Sequence, residues 1–123
     1  KAEMNSAAGE IIAEAETING VKFITKKFEG ASIDDMRTIS DDVKKKNKGV
    51  VMVFAAVNAD RVTFIVSVTD DLLDKGYHAG NMIKQIAAAA GGGGGGKADM
   101  AQAGAQDPSK IAAAFEIAKS LIK

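Results

Sequence analysis

Residues 50–57 read VVMVFAAV and, after Asn58, Ala59 and Asp60, residues 61–68 read RVTFIVSV. The first run is almost wholly apolar, the pattern of a strand covered on both faces. In the second, Val62, Phe64, Val66 and Val68 alternate with Thr63, Ile65 and Ser67. Two such runs joined by a short polar connection form the strongest hairpin signal in the chain. Upstream, Val21 and Phe23 oppose Lys22 and Lys26, with Phe28 closing the run, which predicts a strand with one wetted side near a sheet edge. Between these strands Ser32 lies three residues before Asp35, a capping-box spacing, and Ile33, Met36, Ile39 and Val43 follow at helical intervals. Lys44, Lys45, Lys46 and Lys48 crowd the end of that helix, where cations complement the dipole, and Gly49 stops it.

Downstream of the hairpin, any of Thr69, Asp70 and Asp71 can cap a short turn through Leu72 and Leu73. A further helix carries Ala79, Met82, Ile83, Ile86, Ala87 and Ala90 and stops at six consecutive glycines, residues 91–96. After an irregular stretch, ADMAQAG, Asp107 and Pro108 open a last helix with Ile111, Phe115, Ala118 and Ile122 inward. Residues 2–16 favour helix, with Met4, Ala8, Ile11, Ile12 and Ala15 on one stripe. The expected fold is α+β: a small mixed sheet of about four strands covered by helices, with an N-terminal helix.

The chain has 123 residues, enough for one domain with its own core; 46% are hydrophobic and 26% charged, as in ordinary globular proteins. It contains no cysteine, which excludes disulfides, thiolate metal sites and a cysteine nucleophile. No apolar run approaches the roughly 18 residues of a membrane span. It begins at Lys1 with no leader pattern, so the expectation is a piece of a larger protein. Sixteen basic residues balance sixteen acidic ones, which argues against binding nucleic acid by bulk charge. The balance is segmental, however: residues 1–20, 21–49, 50–74 and 75–123 carry net −3, +3, −3 and +3. A confined contact with RNA therefore remains compatible with neutrality.

Two readings of the glycine run stand: a helix stop leading into a flexible tether, or a backbone that a ligand approaches closely. Gly91, Gly96 and Lys97 satisfy a phosphate-loop spacing, but Ala98 replaces the hydroxyl that would hold magnesium, and a helix precedes where a strand belongs. That reading is rejected. His78 is the single histidine, so a multi-histidine metal site is impossible. The pairs Asp34-Asp35, Asp41-Asp42 and Asp70-Asp71 suit helix starts better than metal clamps, because adjacent residues do not share a helix face. No set of residues assembles a nucleophile, a base and an oxyanion hole. The residues alone point to a binding module, with no catalytic residues and no metal site.

The string GGGGGGKADMAQAGAQDP, residues 91–108, closely resembles the glycine-rich signature near the end of alanyl-tRNA synthetases. Residues 49–57, GVVMVFAAV, and residues 61–87, RVTFIVSVTDDLLDKGYHAGNMIKQIA, resemble the hairpin and helix of the same C-terminal domain. The similarity covers essentially the whole chain. DHH-family phosphoesterases share this domain type but carry histidine after the glycines, where Lys97 stands here as in the synthetase branch. Synthetases often have Arg-Pro in place of Lys97-Ala98, and Gly-Gly in place of Gly104-Ala105.

The resemblance implies a tRNA-binding appendage that clamps the tRNA elbow and supports aminoacylation and editing by other domains. The alternative it leaves is the substrate-binding domain of a DHH-family phosphoesterase or exonuclease. It implies a division into residues 1–19, the end of a helical segment that can mediate homodimerisation, and residues 20–123, a globular glycine-rich-loop domain. The candidate RNA-binding residues are Gly92, Gly93, Gly94, Gly95, Gly96, Lys97 and Gln102, with Asn81 and Lys84 on the preceding helix and Tyr77 and His78 as a small stacking platform. Tyr77 equally suits capping the core. The implied setting is cytoplasmic, the implied partners are alanine-specific tRNA and the remaining synthetase domains, and no membrane is involved. The fragment itself takes no cofactor; the parent enzyme uses ATP and magnesium, with zinc in its editing domain.

Overall fold

The two apolar runs pair as their sequences predict. In the computed structural model, which describes residues 16–18, 20–30, 32–58, 61–105 and 108–122, β3 (Val50–Asn58) and β4 (Arg61–Val68) are antiparallel, in register from Val51 opposite Val68 to Asn58 opposite Arg61. They form the centre of a six-stranded sheet in the order β1-β2-β3-β4-β6-β5, with β1 at Glu16–Ile18, β2 at Val21–Glu29, β5 at Gly93–Gly96 and β6 at Met100–Ala105. Only β2 and β3 are parallel, Lys22 opposite Val50 through Glu29 opposite Val57, and α1 (Ile33–Lys46) makes the crossover between them. The fold class is the expected one, with six strands in place of about four.

Helices cover both faces, which explains why β3 is apolar throughout. Val51, Val53 and Ala55 face a core built with Val62, Phe64, Val66, Val68 and the inward residues of α3 (Ala79–Ala89) and α4 (Ile111–Ser120). Val50, Met52, Phe54 and Ala56 face a second core closed by Met36, Ile39 and Val43 of α1. Phe28 meets Phe54 edge-on there, with ring centroids 5.5 Å apart. Phe54, Phe64, Met36 and Met52 are fully buried, and burial of each such side chain stabilises the fold by about 1.5–3 kcal/mol. The wetted side expected of β2 is therefore partly dry: Ile24 and Phe28 share the parity of Lys22 and Lys26 yet lie under α1.

The capping box at the start of α1 is present. The Asp35 amide donates to Ser32 Oγ at 3.1 Å, and the Ser32 amide donates to Asp35 Oδ2 at 3.2 Å. The short α2 (Asp70–Leu73) follows Thr69, whose hydroxyl accepts from the Val50 amide at 3.1 Å rather than capping its own helix. Asp71 Oδ1 accepts from the Gly49 amide at 3.1 Å, joining α2 to the loop that enters β3. Pro108 begins a 3-10 turn, Pro108–Lys110, that leads into α4. Glu16, expected at the end of a helix, lies in β1 and pairs with Phe23, while residues 1–15 of that helical expectation lie outside the described residues.

Candidate nucleic-acid interface

The glycine run is neither a tether nor a loop: most of it is the edge strand β5. α3 ends in a Schellman turn, in which Gly91 takes φ +77 while its amide donates to Ala88 O at 3.2 Å and the Gly92 amide donates to Ala87 O at 2.8 Å. The chain then runs antiparallel to β6, Gly93 opposite Gly104 through Gly96 opposite Ala101. The stretch ADMAQAG, expected to be irregular, supplies most of β6, whose alternating Ala101, Ala103 and Ala105 enter the α3–α4 core.

The glycines divide by parity. A Cβ on Gly92 or Gly94 would collide with β6, at Gly104 O and at Ala103 and Gln102 O respectively, and one on Gly96 would lie 2.6 Å from Ala101 Cα. A Cβ on Gly93, Gly95 or Gly104 would meet nothing within 4 Å. Alternate glycines thus let β5 lie against β6, and the others present bare backbone outward. Gly80 continues this close packing, since a Cβ there would lie 2.9 Å from Gly96 O. The first turn of α3 is bonded to the β5–β6 turn: Ala79 N donates to Ala98 O at 2.7 Å and Gly80 N to Lys97 O at 3.1 Å.

Side chains surround the bare strand on the α1 side of the sheet. Arg37 of α1, Lys97, Met100 and Gln102 line a groove of about 210 Å³ over Gly95 and Gly96. Gln102 also lines an adjoining groove of about 300 Å³, shared with Ile33, Thr63, Gly93 and Gly104. Arg37, Lys97 and Gln102 are exposed, and neither cation is in an ion pair among the described residues. Lys44 Nζ lies 3.6 Å from Asp99 Oδ2, so one cation of the lysine-rich helix end is occupied in tying α1 to the β5–β6 turn.

The remaining sequence-predicted residues lie elsewhere. Tyr77, His78 and Asn81 line a pocket of about 290 Å³ with Val21, Met82 and Leu121, on the α3–α4 side of the sheet. His78 is the N-cap of α3, its Nδ1 accepting from the Asn81 amide at 3.2 Å. Lys84 is exposed on α3 and lines neither surface. The structure thus groups Gly93 through Gly96, Lys97 and Gln102, and separates them from Tyr77, His78 and Asn81. Sequence reasoning missed Arg37, Ile33 and Thr63; Arg37 adjoins the buried Met36, and no local pattern says which strand lies beyond it.

Among the described residues no cluster of three His, Cys, Asp or Glu could hold a metal ion, and no helix is long and apolar enough to cross a membrane. A mixed sheet with helices on both faces and a glycine edge strand beside two exposed cations defines an α+β domain of the glycine-rich type. Residues 20–123 match the DHHA1 domain, and the chain belongs to that family. It is 44% identical over its full length to an alanine–tRNA ligase of Clostridioides difficile and 40% identical over 97% of its length to one from Bacillus thuringiensis. The chain spans about 14% of the length of these relatives. The C-Ala domain of Aquifex aeolicus alanyl-tRNA synthetase superposes with a TM-score of 0.83 at 27% identity, covering 89% of this chain and 97% of that one. A DHH-domain protein described as belonging to a family of ribosomal proteins shares the fold, with a TM-score of 0.62 at 19% identity over 99% of this chain and 31% of its own. The resemblance to the C-terminal domain of alanyl-tRNA synthetases is borne out.

Proposed function

We propose that this chain is the tRNA-binding module of an alanine–tRNA ligase, holding the tRNA elbow while other domains charge the tRNA and edit mischarged products. The observation that carries this is the parity of β5: Gly93 and Gly95 offer bare backbone beside Arg37, Lys97 and Gln102. A ribose-phosphate chain can approach such a surface with no side chain in the way, two cations can meet its phosphates, and an amide can reach a base edge or hydroxyl. Arg37 presents a planar fork suited to phosphate oxygens, and Lys97 a point charge.

In this reading the module is not itself catalytic and takes no cofactor. ATP, magnesium and the zinc of editing belong to the rest of the ligase, in the cytoplasm, and residues 1–19 belong to the end of a segment that serves dimerisation. A substrate-binding domain of a DHH-type phosphoesterase is the other reading; Lys97 in the place of that branch's histidine weighs against it.

The test is a titration of this chain with intact tRNA and with tRNA whose elbow loops are disrupted, at two salt concentrations. Tighter binding to the intact elbow is expected. Equal affinity for both RNAs removes the clamp, and hydrolysis of short oligonucleotides with added manganese supports the phosphoesterase reading instead.

A further inference from the structure

The pocket on the other side of the sheet is built differently from the glycine groove. Its floor is apolar, from the buried Val21 and Met82 and the half-buried Leu121. Its wall carries two aromatic rings, Tyr77 and His78, set by a turn in which Gly76 takes φ +95 and the Tyr77 amide returns to Leu72 O at 3.3 Å. Asn81 and Gln85, one helical turn apart, present two amides from the same face of α3. At about 290 Å³ the volume is near the roughly 300 Å³ at which small-molecule sites begin.

The chemistry of this wall selects a neutral, planar, hydrogen-bonding ligand. It is not an anion site: the amides of Ala79, Gly80 and Asn81 are already bonded to Ala98 O, Lys97 O and His78 Nδ1, and Lys75 is the one lining Lys or Arg among the described residues. Because Nδ1 accepts the capping bond, the neutral imidazole carries its proton on Nε2 and its ring is held in place. Guanine is read most specifically by a guanidinium on its two adjacent acceptors or a carboxylate on its two adjacent donors, and the described lining residues include neither. Adenine presents a donor beside an acceptor, the complement of an Asn or Gln amide, and its faces stack on aromatic rings.

We infer that this pocket binds an adenine base, through stacking on Tyr77 and His78 and amide contacts from Asn81 and Gln85. The base comes either from an unstacked nucleotide of RNA, an arm that rests on the RNA-binding reading above, or from a free adenine nucleotide.

Tyr77 and His78 are the single tyrosine and single histidine of the chain, so their side-chain NMR signals are assigned without overlap and report on the pocket wall. The chain is titrated with adenosine, the four nucleoside 5′-monophosphates, inorganic phosphate and tRNA. Adenosine and AMP are expected to shift both sets of signals to saturation with similar Kd, and the other three nucleotides to bind about tenfold more weakly or worse. The Asn81→Ala/Gln85→Ala double variant, altered only at exposed positions, is expected to lose about tenfold or more in AMP affinity with unchanged thermal unfolding. Signals that follow inorganic phosphate alone, follow all four nucleotides equally, or follow none of the probes overturn the proposal. If tRNA binds while Tyr77 and His78 stay unmoved and AMP is silent, the pocket falls and the RNA-binding reading stands. If AMP binds selectively and tRNA does not bind, the pocket stands and the RNA-binding reading falls.

Discussion

Gly94 and Gly95 are adjacent and chemically identical, yet their surroundings give them opposite tolerances. A methyl on Gly94 would collide with Ala103 and the Gln102 carbonyl of β6, backbone that cannot move without unpairing the edge. Gly94→Ala should therefore destabilise by about 1–3 kcal/mol or more, as overpacking does in close-packed interiors. A methyl on Gly95 meets nothing within 4 Å, and its φ is not in the left-handed region, so Gly95→Ala should stabilise by about 0.4–1 kcal/mol by restricting the unfolded chain. Gly95 also floors the Arg37–Lys97 groove, so the same methyl should weaken RNA binding while the melting temperature rises. Thermal unfolding and tRNA titration on both variants check this. Equal destabilisation by both would show that the parity of β5 is wrong. Equal RNA affinity for Gly95→Ala and the parent would remove bare backbone from the binding surface.

At the scale of elements, a network around Gly49 joins three pieces of the fold. Gly49 O accepts from Lys22 N at the start of β2, and its amide donates to Asp71 of α2. The hydrogen bond from Thr69 holds the Asp71 carboxyl below the ordinary aspartate value of 3.8, with the Gly49 amide and Lys48 acting the same way against partial desolvation. A lowered folded-state value means that this contribution is complete above the ordinary value and is lost as pH falls through the lower one. Asp71→Asn should thus be less stable than the parent at neutral pH, by under about 1 kcal/mol because the group is largely solvated, and the two should converge in strong acid. Denaturant unfolding at a series of pH values tests it; a difference that persists unchanged to the lowest pH would remove the carboxylate's charge as its source. These connections are long-range, and that is why the sequence showed the elements better than their joints. β3, β4 and α1 were legible because burial on two faces, strict alternation and a capping box each leave a local pattern. β5 was not, since glycine has no side chain to carry a period of two, and in β6 the inward positions are only alanines, a weak contrast with Met100, Gln102 and Gly104. In β2, the lysines at 22 and 26 marked a wetted face, whereas the burial of Ile24 and Phe28 depends on where α1 returns. The candidate site was half legible for the same reason. Lys97 and Gln102 lie on one face with the odd-numbered glycines, but Tyr77, His78 and Asn81, close in sequence, sit across the sheet.

Across the whole molecule, neutrality arises from segments of alternating sign, and the fold decides which of them meet. Arg37 comes from the basic segment at residues 21–49 and Lys97 from the one at residues 75–123, and α1 packing beside β6 brings the two to one groove. Lys44 is balanced by Asp99, and the cations lining this groove among the described residues are Arg37 and Lys97. Two phosphate contacts give log K against log salt a slope of about −1.4 to −1.8, far shallower than that of a strongly basic RNA binder. Arg37→Ala and Lys97→Ala should each flatten the slope by about one unit or less, and the double variant should leave little salt dependence. Lys45→Ala, an exposed cation of the same helix outside the groove, should leave the slope unchanged. Measuring tRNA affinity for these variants between about 50 and 200 mM salt distinguishes a local contact from a diffuse one. If Lys45→Ala flattens the slope as much as Arg37→Ala, the RNA is held by the summed charge of α1. If Lys97→Ala alone has no effect, the β5–β6 turn lies outside the contact, and the groove would then serve RNA through Arg37 and the bare glycine backbone only.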